Sequence, residues 1–344
     1  MKYYDGAKLL SLKDINGEKP EIYISIGNRS GGKTTYYNRM LVNRFKKKGE
    51  KFLLLYRWNY ELTDIANKFF GDIGKIFFKD DVMKDRVLAK GKYCELYLNE
   101  ELCGYAVSLN SANAVKKLSH VFNEVTSILF DEFMSEDGMY CPNEIEKFQS
   151  IHVSVSRGNG QPVRYVPVYL ISNAVTLLNP YFETLGISAR LQENTKFLRG
   201  EGYVVECFYN EEVKTAQSQS AFNRAFSKSK YQNYSMTNIY LNDNITFIEN
   251  VEGETEYVCT IAYKGNEYAI RKSVKLGILY CDKRIDKTYP VRISATTDDF
   301  QMNYVMLESY KVLIQQLRMV FNRGAFRFKD LSCKECIMSI IAYN

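Results

Sequence analysis

The chain has 344 residues, 46% of them hydrophobic and 25% charged, an ordinary globular composition that excludes disordered and collagen-like classes. At roughly 150 residues per domain, this length suggests about two domains. Lys and Arg number 46 against 40 Asp and Glu, a formal charge of +6; this permits nucleic-acid binding without requiring it. Residues 1–200 hold 28 basic and 23 acidic side chains, a net of +5, and residues 201–344 hold 18 and 17, a net of +1.

Of the 8 cysteines only Cys333 and Cys336 form a C-x-x-C pair, and a structural zinc site needs a second pair of ligands. His120 and His152 stand at no ligand spacing, so the cysteines read as thiols of a reducing cytoplasm. No apolar run approaches the ~18–20 residues of a membrane span, and the opening MKYYDGAKLL lacks a signal-peptide core. A soluble intracellular protein with no membrane partner is expected.

Ile22, Ile24 and Ile26 form a β-prone run that stops at Gly27. From Lys33, Tyr37, Met40, Leu41 and Phe45 follow a helical spacing that runs out near Gly49, and Phe52–Tyr56 is a second apolar run. Strand, helix and strand at this length predict a βαβ unit with parallel pairing and a right-handed crossover. Residues 92–109 predict a hairpin turning near Asn99. Thr126–Phe130 ends in Asp131-Glu132, and Val163–Ser172 ends in Asn173; runs apolar on both faces suit central parallel strands covered by helices. Residues 1–200 therefore read as one α/β domain. Lys214–Tyr234 is polar, with Arg224, Lys228 and Lys230, and residues 201–235 read as a linker. Residues 236–344 read as a smaller α+β domain, with short β runs at Ile245–Glu249, Tyr257–Tyr263, Tyr268–Ser273, Gly277–Cys281 and Val291–Ala295. A helix over Asp298–Arg323 and a shorter one near the C-terminus follow.

Gly27-Asn28-Arg29-Ser30-Gly31-Gly32-Lys33-Thr34 fits the Walker A pattern G-x-x-x-x-G-K-[ST] at every position, with Thr35 next in the helix. Small residues let backbone N–H groups curl round a phosphate, and the helix starting at Lys33 aims its positive end at the anion. Lys33 supplies a charge between the β- and γ-phosphates, and Thr34 a hydroxyl for Mg²⁺. A nucleoside triphosphate, ATP with Mg²⁺, is the expected ligand. The acid-ending run Ile128-Leu129-Phe130-Asp131-Glu132 brings Asp131 beside the loop as a Mg²⁺ carboxylate, and Glu132 is placed as general base. Together these predict an ATP-hydrolysing motor of the additional-strand (ASCE) class.

Ser172-Asn173 can contact the γ-phosphate or attacking water, or simply form a strand-end turn. Arg157, in Ser156-Arg157-Gly158-Asn159-Gly160, can serve as an arginine finger for a neighbouring subunit; a solvated loop arginine is the alternative, and Arg164 is the rival candidate.

Gly27–Thr34, Phe130–Phe133 (FDEF) and Ser172–Val175 (SNAV), joined by Asn179–Phe182 (NPYF) and Thr296–Asp299 (TTDD), resemble the genome-packaging ATPases of phi29-like tailed bacteriophages over nearly the whole chain. The resemblance implies a terminase-like motor: a homo-oligomeric ring, pentameric in the family, at the portal vertex of a procapsid in the host cytoplasm. A structural RNA would join it to the portal (connector), and ATP hydrolysis would drive double-stranded DNA inward. By the same resemblance Lys33 and Thr34 hold phosphate and Mg²⁺, Asp131 holds Mg²⁺, Glu132 is the catalytic base and Arg157 the finger donated in trans. A lysine that the family places before the Walker B aspartate falls nearest Lys117, with Lys116 beside it. A basic residue placed after the second strand is Asn59 here, so no DNA contact carries over to that position. Another P-loop translocase or helicase would leave the FDEF, SNAV and NPYF series unexplained.

The resemblance makes the second domain RNase H-like without nuclease activity. Two-metal cleavage needs several carboxylates on adjacent strands, whereas Tyr257–Tyr263 has no internal acid. Asp298 and Asp299 read as an N-cap and first turn of the following helix. Between Lys264 and Lys287 there are 7 basic and 3 acidic residues, a net of +4, which suits either a phosphate-tracking face or a solvated sheet face. Arg44–Lys48 reads as cations at a helix C-terminus.

Overall fold

Runs that are largely apolar on both faces suit the centre of a covered sheet, and four such runs, Ile22–Gly27, Lys51–Tyr56, Val125–Asp131 and Val168–Asn173, organise the first half of this chain. The computed structural model describes residues 4–136, 139–157, 163–175, 179–187, 190–191, 195–210, 212, 215, 219–225 and 247–342. Two compact units divide the chain, Met1–Leu185 with Gln192–Leu241, and Gly186–Leu191 with Asn242–Asn344.

The first unit runs α1 (Ala7–Ser11), β1 (Ile22–Gly27), α2 (Lys33–Lys48), β2 (Lys51–Tyr56), α3 (Ile65–Phe77), β3 (Met83–Leu88), β4 (Tyr93–Leu98), β5 (Glu101–Ser108), α4 (Ala112–Lys117) and β6 (Val125–Asp131). It continues through α5 (Glu144–Ser156), β7 (Val168–Asn173), α6 (Pro180–Thr184), β8 (Phe197–Gly200), β9 (Tyr203–Phe208) and α7 (Ala221–Ala225). Among the described residues its sheet has the order β3-β4-β5-β2-β6-β7-β1-β9-β8. β5, β2, β6, β7, β1 and β9 are parallel neighbours, and hairpins extend both edges. Ile24, Leu53, Leu170 and Val204 at its centre are fully buried. The hairpin turn at Asn99 and Glu100 has φ of 50° and 70°, as a two-residue type I′ turn requires.

Strand, helix and strand form where expected, yet β1 and β2 do not pair, because β6 and β7 stand between them. The 16 residues of α2 rise about 24 Å at 1.5 Å each, enough to cross strands spaced ~4.8 Å apart. The outcome is the additional-strand arrangement, in which β7 separates β1 from the acid-ending β6. β7 begins only at Val168, after Pro167, since proline has no N–H for a central ladder. The expected boundary at residue 200 falls inside the β8–β9 hairpin, and β9 pairs along all of β1. The first unit therefore extends beyond that boundary, and the expected linker begins with a strand. Most of the polar tether lies outside the described residues.

The second unit comprises β10 (Glu256–Tyr263), β11 (Asn266–Ser273), β12 (Ile278–Asp282), β13 (Arg292–Ser294), β14 (Val305–Met306), α8 (Lys311–Asn322), β15 (Phe326–Phe328) and α9 (Leu331–Ala342). Its order is β14-β13-β10-β11-β12-β15. β10, β11 and β12 form an antiparallel meander, β13 and β14 add parallel strands beside β10, and β15 runs parallel to β12. This is the RNase H-like arrangement. Ile261, Ile270, Phe326 and Phe328 pack with Leu317 of α8 and Ile337 of α9. All eight cysteines are free thiols, seven of them buried.

The helix expected from Asp298 starts only at Lys311, preceded by β14 and a 3-10 turn at Leu307–Tyr310. Asp299 does not cap it. Its carboxylate accepts the backbone N–H groups of Lys264 and Gly265 at 2.9 and 2.7 Å and the Thr296 hydroxyl at 2.6 Å. The TTDD segment thus ties down the β10–β11 turn.

At Gly27, a Cβ would lie 2.2 Å from the carbonyl oxygen of Phe208 on β9. Gly27→Ala is expected to lower stability by about 1–3 kcal/mol through overpacking, measured by urea unfolding of the purified chain.

Candidate nucleotide site

β1 delivers the loop and α2 receives it. Ser30 and Gly32 have φ of 61° and 91°, turns of the kind that curl a loop into an anion-binding concavity. Gly32 provides no side-chain cap for α2, so the first-turn N–H groups are not claimed from within the helix. Contacts away from α2 fasten the loop. Asn28 exchanges two hydrogen bonds with the backbone of Asn210, both 3.2 Å, Arg29 pairs with Glu136, and the Tyr4 N–H donates to the Gly31 carbonyl at 2.9 Å.

Lys33 is buried, and its Nζ donates to the Asn28 carbonyl at 3.0 Å. Burial pushes this ammonium down to about 8, against the opposing pull of Asp131 and Glu206. The Thr34 hydroxyl donates to Oδ2 of Asp131 at 2.8 Å, and Asp131 Oδ1 accepts the Glu132 N–H at 2.8 Å. Burial pushes the Asp131 carboxyl up to about 6, outweighing the hydrogen bond from Thr34. A hydroxyl and a carboxylate side by side are hard oxygen donors that suit Mg²⁺. Glu132 is exposed and has a left-handed backbone with φ 55°.

One cavity of about 670 Å³ joins Ser30–Tyr36 to Asp131, Glu132, Ser172 and Asn173. The three expected motifs thus converge: Lys33, Thr34, Thr35, Asp131, Glu132 and Asn173 line one space. Gly27, Asn28 and Arg29 do not line it. Lys116, Lys117 and Arg157 are exposed at the ends of α4 and α5 and lie outside it. Arg164 also lies outside, its guanidinium donating to the carbonyls of Val125 and Val155 at 3.1 and 2.6 Å.

Comparison with known proteins gives the family. The family profile described as podovirus DNA encapsidation protein (Gp16) matches residues 1–342. The chain belongs to that family. It is 27% identical over 332 residues to the DNA packaging protein of Bacillus phage phi29, covering 95% of this chain and 93% of that protein. The structure titled "The bacteriophage Phi-29 viral genome packaging motor assembly" superposes with a TM-score of 0.64 at 24% identity, covering 99% of this chain and 97% of the other. A second structure, "The Phi-28 gp11 DNA packaging Motor", gives a TM-score of 0.66 at 15% identity, with 99% and 98% covered. This Gp16 family member carries a Walker A loop on a parallel sheet of the additional-strand type in its first unit.

Sequence reasoning missed Arg57 and Glu144. Arg57, at the end of β2, is buried and binds both carboxylate oxygens of Glu144, with Nε–Oε2 at 3.0 Å and Nη2–Oε1 at 3.1 Å. It also donates to the carbonyls of Phe133 at 2.6 Å and Glu132 at 3.4 Å. Glu144 further accepts the Tyr181 hydroxyl at 2.9 Å and the Cys141 N–H at 2.7 Å. Tyr181 belongs to NPYF, where Asn179 caps α6 by accepting the Phe182 N–H at 3.0 Å, and its ring packs edge-on against Phe133 of FDEF. The two motifs are halves of one clamp. The signal was an arginine directly after an apolar strand.

In the second unit, Arg271 and Arg284 both pair with the fully buried Asp282, Lys283 with Asp330 and Lys264 with Glu335. Much of the expected +4 face is therefore internally neutralised, and Asn59 accepts the hydroxyls of Ser108 and Ser111.

Arg57→Met leaves the Glu144 carboxylate buried without its cation, a loss of about 3–5 kcal/mol for such pairs. Urea unfolding is expected to show it, and adding Glu144→Leu is expected to recover part of it.

Proposed function

We propose that this chain is the ATPase subunit of a phage DNA-packaging motor, coupling ATP hydrolysis to translocation of double-stranded DNA into a preformed procapsid. The observation that carries the reading is the contact of Thr34 with Asp131 in the cavity that also receives Lys33, Glu132 and Asn173, in a member of the encapsidation family. In this reading the loop from Ser30 to Thr35 cradles the phosphates and Lys33 presents its ammonium to them. Thr34 and Asp131 hold Mg²⁺, which when bound neutralises charge developing on the phosphoryl oxygens. Glu132, exposed and adjoining Asp131, accepts the proton of the attacking water. Asn173 orients that water or the γ-phosphate.

Arg157 lies outside its own cavity and is exposed, which favours donation to a neighbouring subunit. Arg164 is committed to two backbone carbonyls, which disfavours it as the finger. Lys117, exposed near the end of α4, is assigned the companion role, with Lys116 as its neighbour. These assignments require a homo-oligomeric ring, taken as pentameric, docked on a portal with packaging RNA between them. The place of action is the host cytoplasm and then the procapsid vertex; no described helix is long and apolar enough to cross a membrane. Nuclease activity is not part of the reading. Asp282, which ends β12, is held by two arginines.

ATP hydrolysis with and without double-stranded DNA and procapsids tests the proposal. Glu132→Gln is expected to retain nucleotide binding and to lose about 10²–10⁴-fold in turnover, the usual contribution of a general base; unchanged turnover would sink it. Arg157→Ala is expected to lose about 10³-fold or more. In mixed rings with Glu132→Gln, turnover should depart from a simple average if Arg157 acts in trans.

A further inference from the structure

The cavity is longer than a phosphate site needs. From Lys33 it follows α2 past Tyr36 to Arg39, about 9 Å farther at 1.5 Å per residue, and ends against Ile76 and Phe77 at the close of α3. Ile76 and Phe77 are 60% and 40% exposed, while α3 buries Ile65, Phe69, Phe70 and Ile73 on its packed face. The core does not require these two side chains, and adjacent exposed apolar groups mark contact surfaces. The Arg39 guanidinium lies over the Phe77 ring at 4.2 Å, a flat cation–aromatic wall. On the other side Tyr36 stands edge-on to Tyr4 with centroids 5.4 Å apart, and the Tyr4 hydroxyl is already donated to Glu206 at 2.6 Å. With the Arg39 guanidinium laid over the Phe77 ring, this end of the cavity presents mainly faces, and the Tyr36 hydroxyl is the other polar group beside them.

We infer that the far end of the cavity is a base subsite, in which a purine stacks on the Arg39–Phe77 wall beside Ile76 and is not read along its edge. The inference rests on the nucleotide reading proposed above and deepens it. The substrate class is purine nucleoside triphosphates, with the phosphate end supplying most of the anchoring and the base end a face. Stacking tolerates different bases because every base has a π-face, so adenine and guanine are discriminated only weakly.

Calorimetric titration of the full chain with ATP, GTP and inorganic tripolyphosphate, each with Mg²⁺, tests this. Phe77→Ala is expected to weaken both nucleotides about tenfold, as loss of a stacking partner does, and to leave tripolyphosphate within about twofold. Phe77→Trp is expected to restore nucleotide affinity. Because Arg39 is exposed, Arg39→Ala serves as a second variant with little risk to folding, and it too should weaken nucleotides more than tripolyphosphate. Equal losses for nucleotides and tripolyphosphate in both variants, or no loss in either, would overturn the inference, as would GTP binding more than about a hundredfold weaker than ATP, the mark of edge reading. Lys33→Ala separates the two levels. If it weakens all three ligands the phosphate site stands, whatever Phe77 shows; if it weakens none, the nucleotide reading itself fails.

Discussion

The insertion of β7 between β1 and β6 governs the site. Two strand spacings of ~4.8 Å separate the loop-bearing strand from the line of Asp131, so a loop ending β1 does not meet that acid directly. α2 closes the gap, because its second residue, Thr34, meets Asp131 at 2.8 Å. Register completes the arrangement: Gly27 lies opposite Asn173, and Asp131 opposite Ile171. Asn173 therefore stands two residues above the level of Asp131, between loop and acid. A one-residue slip of β6 would turn Asp131 to the other face of the sheet, so the chemistry depends on pairings in the middle of the fold.

The clamp of Arg57 and Glu144 addresses a different difficulty. A buried ion pair is weak evidence of stabilisation, since apolar replacements of similar volume are often as stable. What this pair touches is more informative. Arg57 donates to the carbonyls of Glu132 and Phe133, and Glu132 has a left-handed backbone at φ 55°. A non-glycine residue held there costs about 1–3 kcal/mol and persists only when its surroundings over-determine it. Arg57, Glu144, Tyr181 and the FDEF and NPYF rings supply that over-determination. The structural content of those two motifs is thus mutual: each packs and hydrogen-bonds against the other.

Much of this was legible in the residues, and the parts that were not share a cause. Gly27–Thr34 and Ile128–Glu132 were readable because their elements are local: a strand, a loop and a helix start in one stretch. Strand order was not, because β6 and β7 enter the sheet between β1 and β2 long after both have been passed in the chain. Pro167 trimmed the Val163–Ser172 run for a reason present in the sequence but easily outweighed by its apolar neighbours. Thr296–Asp299 resembled a helix cap because Thr and Asp satisfy any nearby backbone N–H; the groups satisfied belong to Lys264 and Gly265, more than 30 residues earlier. Arg57 and Glu144 lie 87 residues apart, and no local pattern signals such a pair. The +4 count between Lys264 and Lys287 ignored acids outside that window, two of which, Asp330 and Glu335, neutralise Lys283 and Lys264.

Lys33 and Asp131 share one electrostatic condition. Burial pushes the ammonium down to about 8 and the carboxyl up to about 6; the pull of Asp131 and Glu206 opposes the first shift, and chiefly the Thr34 hydroxyl opposes the second. In the proposed reading a phosphate faces Lys33 and Mg²⁺ faces Asp131, and both shifts reverse together. Binding and the stability of the site then draw on one free energy, because a ligand that binds only the folded form stabilises it. This explains why the loop is fastened elsewhere. The bonds of Asn28 to Asn210, Arg29 to Glu136 and Tyr4 to Gly31 fix its backbone without engaging the side chains of Thr34, Asp131 or Glu132. The geometry can therefore stand before the ligand arrives, and the ligand's charge is left to act on the two groups that burial has made most responsive to it.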